Sequence, residues 1–171
     1  GPHVYVESAM FGYAAGRVIH SFWEHNLSVR EKVVAHFHEW MTGAGILYLK
    51  QNVPHIATLF TTHATVTGRS LAGNGHPLYQ KLETYNGDSM ARELGIVSQQ
   101  SMEKNSAHNA DAFTTVSEIT AKECKQLLER EVDVITPNGF DDSFVPSKEE
   151  YPDKKQKAQK RLREVSGALL G

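Results

Sequence analysis

The segment IATLFTTHATVTGRS, residues 56–70, gathers side chains suited to meeting an anion. His63 ends a run of strand-forming residues, and Arg69 follows at the end of a small polar stretch. Thr62, Thr65 and Thr67 supply hydroxyls, and Gly68 permits close backbone approach or a positive φ. An arginine in this setting is a natural phosphate partner, because its planar fork matches the oxygens. The plainer alternative is that His63 caps a backbone group and Arg69 makes a surface salt bridge. The residues alone leave both readings open.

A second pattern is HFHEW, residues 36–40. On a strand, His36 and His38 point to one face. Such a pair can bind zinc or iron when further ligands arrive from elsewhere, here His63, Asp111 or Glu39. The competing reading makes His36 a buried histidine satisfied by a backbone carbonyl. Glu39 then starts a helix or hydrogen-bonds a sugar. The LAGNGH run, 71–76, lies outside any strand–turn–helix opening, so it reads as a mobile glycine-rich loop rather than a dinucleotide fingerprint. KKQKAQKRLR, 154–163, follows Glu149, Glu150 and Asp153 and reads as a solvated helix face. Cys124 reads as a packed thiol within a helix.

These groups must be positioned by regular elements. Apolar periodicity predicts a helix over 9–25, with Met10, Ala14, Val18 and Phe22 in one row and Phe11, Ala15, Ile19 and Trp23 in the next. Strands are expected at 32–40, buried on both faces, and at 55–63, 112–117 and 132–137. Helices are expected at 43–51, 100–110 and 119–130, the last opening on a Thr120-x-x-Glu123 capping box. Residues 70–96 read as a long loop with one or two helical turns. A charged tail from Pro146 carries an amphipathic helix with Ala158, Leu162, Val165 and Leu169 on one side. The alternation predicts an α/β fold, a Rossmann-like parallel sheet with flanking helices. His38, His63, Ser117 and Asn138 then fall at carboxyl ends of strands, the edge where such sheets bind ligands.

The 171 residues suit one domain with a real core, and 40% hydrophobic with 22% charged residues is a globular composition. A net charge of −2 gives no general attraction to nucleic acid or an anionic membrane. One cysteine, Cys124, allows no internal disulfide, which fits a reducing, cytoplasmic compartment. No stretch is apolar enough to cross a bilayer. Gly1-Pro2 has the form of a scar left by tag cleavage.

HFHEW, FTTHAT with GR following, FTTVSEITA and TPNG, in this order and spacing, resemble the glycogen synthases of glycosyltransferase family 3. The resemblance runs from about residue 9 to the end. It implies a GT-B architecture, two Rossmann-like domains across a cleft, and retaining transfer of glucose from UDP-glucose to a glucan acceptor, with no metal and no cofactor. It implies His63 beside the transferred glucose and Arg69 near the donor phosphates as catalytic residues. His38, Glu39, Thr65 and Asn138 become substrate-binding positions. The chain is short for such an enzyme. Residues 1–147 are expected to be part of the N-terminal domain and 148–171 a helical linker toward a C-terminal domain. Homo-oligomers are expected where faces lack their usual cover. The alternatives are a stand-alone glucan- or protein-binding module and a metallohydrolase built on His36, His38 and His63.

Overall fold

The computed structural model of the chain describes residues 4–28 and 30–170; Gly1, Pro2 and the Leu169 side chain lie outside the described residues. Four strands, β1 (Val34–His38), β2 (Ala57–Thr62), β3 (Ala112–Thr115) and β4 (Val134–Ile135), form one parallel sheet in that order. Helix α1 (Val4–Asn26) precedes the sheet, and between its strands lie α2 (Gly43–Asn52), α3 (Val66–Gly73), α4 (Gly87–Glu93), α5 (Val97–Asn109) and α6 (Glu118–Leu127). This is the helix-flanked parallel α/β sheet that the alternation predicts. The chain divides into two compact units, Gly1–Pro137 and Asn138–Gly171, the second holding α7 (Tyr151–Leu170). No described helix is long and apolar enough to cross a membrane.

Strand periodicity sorts the sheet into two faces. Phe37, Phe60 and Phe113 are register partners across β1, β2 and β3, so they share one face. The Phe60 and Phe113 rings stack at 5.6 Å. They join Ile46, Leu49, Ile56, Cys124 and Leu128 in the main core. One residue further along, His38, Thr61 and Thr114 form the corresponding row of the opposite face. The first strand is therefore not buried on both faces, as expected above. It is an edge strand in which Ala35 and Phe37 are buried while Val34, His36 and His38 are exposed.

Two other expectations change. Helix α1 does not bury its bulky rows: Met10, Phe11, Val18 and Phe22 are exposed. The buried stripe runs instead through Gly12 and Gly16, with Ile19 and Trp23 half-buried. Glycine allows the α1 and α2 backbones to approach closely, and a Cβ on Gly16 would lie 3.0 Å from the Gly45 Cα. Residues 70–96 are not mainly loop either. Leu71, Leu78 and Leu82 pack on Leu127 as a second core, with Tyr85, Met90 and Leu94 around it, and the Asn86 side chain caps α4. Short helical pieces anchored by single leucines carry too little periodicity to be read as helices.

The α1–α2–β1 junction is tightest at Gly45, where an added Cβ would overlap the Phe37 ring and sit 2.7 Å from the Gly12 carbonyl oxygen. Gly45→Ala is expected to destabilise by about 1–3 kcal/mol. Gly73→Ala meets nothing within 4 Å and is expected to be neutral or to stabilise by up to about 1 kcal/mol. Thermal unfolding of the two variants against the parent checks this.

Candidate functional site

The carboxyl ends of β1 and β2 lie side by side, and the chemistry gathers there. The ladder runs one residue past β1, with the Glu39 N–H donating to the Thr61 carbonyl at 2.9 Å. Glu39 then adopts φ 64 and ψ 160, a region natural for glycine and costly for other residues. Its carboxylate reaches β2: Oε1 accepts the His63 N–H at 2.9 Å and lies 3.4 Å from Arg69 Nη2. One glutamate thus stands between the histidine and the arginine singled out from the sequence. Arg69 is not in a polar loop but in the first turn of α3, and its Nε also lies 3.4 Å from the Ala64 carbonyl oxygen. Its side chain is 60% exposed.

The histidines make a continuous surface. His38 Nδ1 and His63 Nε2 are 3.2 Å apart, a hydrogen bond in which one ring donates and the other accepts. The His36 and His38 rings sit with centroids 4.1 Å apart. His36 is exposed rather than buried, and its partner is a hydroxyl rather than a carbonyl. Its Nε2 pairs with Thr61 Oγ1 at 2.8 Å, which pairs in turn with Thr114 Oγ1 at 2.7 Å. Partial desolvation, then the neighbouring His38 and His63 imidazoles, holds the His36 pKa below the ordinary histidine value. Asp111, considered above as a metal ligand, lies at the other end of the sheet. There it accepts the Thr58 N–H and the Lys50 ammonium. Among the described residues, no three His, Cys, Asp or Glu side chains gather to hold a metal ion.

Thr65 and Ser117 are spent on the fold. Thr65 is fully buried; its Oγ1 accepts the Gly68 N–H at 3.0 Å as the cap of α3 and donates to Glu123 Oε2 at 2.9 Å. A Cβ on Gly68 would collide with that carboxylate, so this glycine serves close approach rather than a positive φ. Ser117 caps α6 by accepting the Thr120 N–H at 3.2 Å. The cap is therefore Ser117, three residues before the Thr120 of the expected capping box. Asn138 belongs to the second unit. A groove of about 840 Å³ between residues 79–84 and Lys122–Gln126 involves none of these positions.

Two buried carboxylates join the site's surroundings: Glu103, which the sequence does not point to, and Glu123, which it offers only as half of a capping box. Glu103, fully buried on α5, accepts the Thr62 hydroxyl and the Val66 N–H, both at 2.8 Å. Glu123, 2% exposed on α6, accepts Thr65 and the Tyr79 hydroxyl at 2.9 Å. The signal for Glu103 was weak because the buried face of α5 is itself polar, carrying Gln100 and Ser106. Burial pushes the Glu103 carboxyl up to about 7, with the charges of Glu39 and Glu123 adding to the effect and the two hydrogen bonds opposing it.

A carboxyl with a raised pKa holds its proton more tightly in the folded chain than in the unfolded one. Stability therefore falls as pH rises from about 4.5 through about 7. Glu103→Gln removes that titration. Between pH 5 and 8 the stability difference is expected to move in the variant's favour by roughly 2.5 kcal/mol. Denaturant titrations of both proteins at the two pH values measure it.

Comparison with known proteins gives the geometry a family. The glycogen synthase family model matches residues 3–170. The chain is similar to glycogen [starch] synthases of Dictyostelium discoideum, 42% identical over 78% of this chain, and of Caenorhabditis elegans, 40% over 81%. The corresponding Neurospora crassa protein is 34% identical over 96% of the chain. The matches span 15%, 21% and 23% of those relatives' own lengths, respectively. With a family model covering almost every residue, and its similarity including both histidine-bearing strand ends, the chain belongs to the glycogen synthase family.

Proposed function

We propose that this chain forms part of the N-terminal domain of a retaining glucosyltransferase of GT-B architecture. That enzyme extends an α-1,4-glucan from UDP-glucose in the cytoplasm. The Glu39 bridge between the His63 backbone and the Arg69 guanidinium carries the reading, since it fixes both groups on one sheet rim. Family membership supplies the reaction class. Residues 1–147 belong to the first domain in this reading, and 148–171 lead toward a second.

Breaking the bond between the sugar and the diphosphate builds positive charge on the glucose and negative charge on the leaving group. Arg69, held at its inner edge by Glu39 and Ala64 and otherwise exposed, is free to turn its fork toward the diphosphate. A cation there favours the transition state over the ground state. His63, with its ring bonded to His38 and its N–H fixed by Glu39, orients the glucose for attack on the face that the diphosphate leaves. Asn138 lines the space between the domains. The stand-alone binding module and the metallohydrolase have no comparable observation in their favour.

In a glucan-extension assay on the intact protein containing this chain, Arg69→Ala is expected to lower kcat about a hundredfold or more. Unfolding stability should change by less than about 1 kcal/mol, because the ion pair is long and exposed. The 171-residue chain alone is expected to show no turnover. Clear turnover by the chain alone, or undiminished kcat in the variant, counts against the reading.

A further inference from the structure

We propose that Glu103 is a positioning residue for Arg69, acting through the Thr62 hydroxyl and the Ala64 carbonyl. The Thr62 Oγ1 lies 2.8 Å from Glu103 Oε1 and 3.3 Å from the Ala64 carbonyl oxygen, both within donating range. A hydroxyl has one proton to give, so it serves one acceptor at a time. That same Ala64 oxygen receives the Arg69 Nε–H at 3.4 Å. The other oxygen of Glu103 receives the Val66 N–H, the first amide of α3, at 2.8 Å.

Two proton arrangements fit the same heavy atoms. With Glu103 ionised, the carboxylate accepts from both Thr62 and Val66, and the Ala64 carbonyl is left to Arg69. With Glu103 neutral, the proton taken up from solvent sits on Oε1 and is donated to Thr62 Oγ1. The Thr62 proton then turns to the Ala64 carbonyl, which Arg69 must share. No bond between heavy atoms is made or broken. The ionisable groups that act on Glu103 are Glu39 from the end of β1, and Glu123 and Cys124 from α6. Burial raises the Cys124 pKa, so the thiol stays neutral. None of the three is a cation that would lock Glu103 in its charged form. The change therefore falls near neutral pH.

The meaning of this link for catalysis rests on the reading of Arg69 as the diphosphate partner, but the link itself needs no sugar. NMR of the ligand-free chain, following the Val66 N–H and the Arg69 Nε–H across neutral pH, tests it directly. In the parent both signals are expected to shift with one inflection near pH 7. Glu103→Gln should flatten both. Thr62→Val should leave the Val66 inflection and abolish that of Arg69, and Thr62→Ser, which keeps the hydroxyl, should preserve both. A flat Val66 signal in the parent overturns the proposal. So does an unchanged Arg69 inflection in Thr62→Val, since the effect would then be a field through space. In the intact protein, Glu103→Gln is expected to lower kcat by about tenfold to a hundredfold above neutral pH, with KM for the donor little changed. If the NMR behaviour holds while kcat does not move, the role of Arg69 falls and the proton link stands.

Discussion

The turn from Thr62 to Val66 is fastened to its surroundings by carboxylates drawn from three separate elements. Glu39, Glu103 and Glu123 each accept hydrogen bonds from this stretch: from the His63 N–H, from Thr62 and Val66, and from Thr65. A strand leaving a sheet has lost its ladder partners and has not yet gained the hydrogen bonds of a helix. Charged acceptors answer that need more strongly than neutral ones. They also hold the geometry of the groups that the turn displays. The cost is the burial of two glutamates with no ion pair to either among the described residues, which the raised pKa of Glu103 registers. A turn supported only by packing would spare that cost and leave His63 and Arg69 less well defined.

The sheet explains why the arrangement belongs at this rim. Its phenylalanine row faces the core, so the next residue on each strand faces the other way. On that face Thr61 and Thr114 bond to each other, and Thr61 bonds to His36, giving a polar lining that ends in imidazoles. The α1–α2 contact through Gly12, Gly16 and Gly45 presses on Phe37, so backbone closeness on one face is joined to the position of β1 and hence of Glu39. At the opposite end of the sheet, Asp111 ties the start of β2 to Lys50 on α2.

Much of this is legible in the sequence, for identifiable reasons. The parallel sheet follows from the alternation of strand-like and helix-like runs. His38, Glu39, His63 and Arg69 follow from their positions at the ends of those runs. The remainder depends on tertiary partners that local periodicity does not encode. Glu103 carries little signal in the sequence, because the buried face of its helix is itself polar. Glu123 looks like half of a capping box until Thr65 and Tyr79 are seen to bond it. Bulky residues on α1 suggest its buried face, yet two glycines decide the contact. Residues 70–96 hide a small leucine core because each leucine lies on a different short segment.

Position 39 is caught between two demands that no amino acid meets together. Its dihedral angles suit glycine, whereas its bonds to His63 and Arg69 call for an acidic side chain. Enrichment of a mutant library for folded protein would drift toward glycine here, and enrichment for a working rim would drift back to glutamate. If the rim acts as proposed, a thermostabilised descendant carrying glycine at position 39 would keep its architecture while losing the tie between His63 and Arg69.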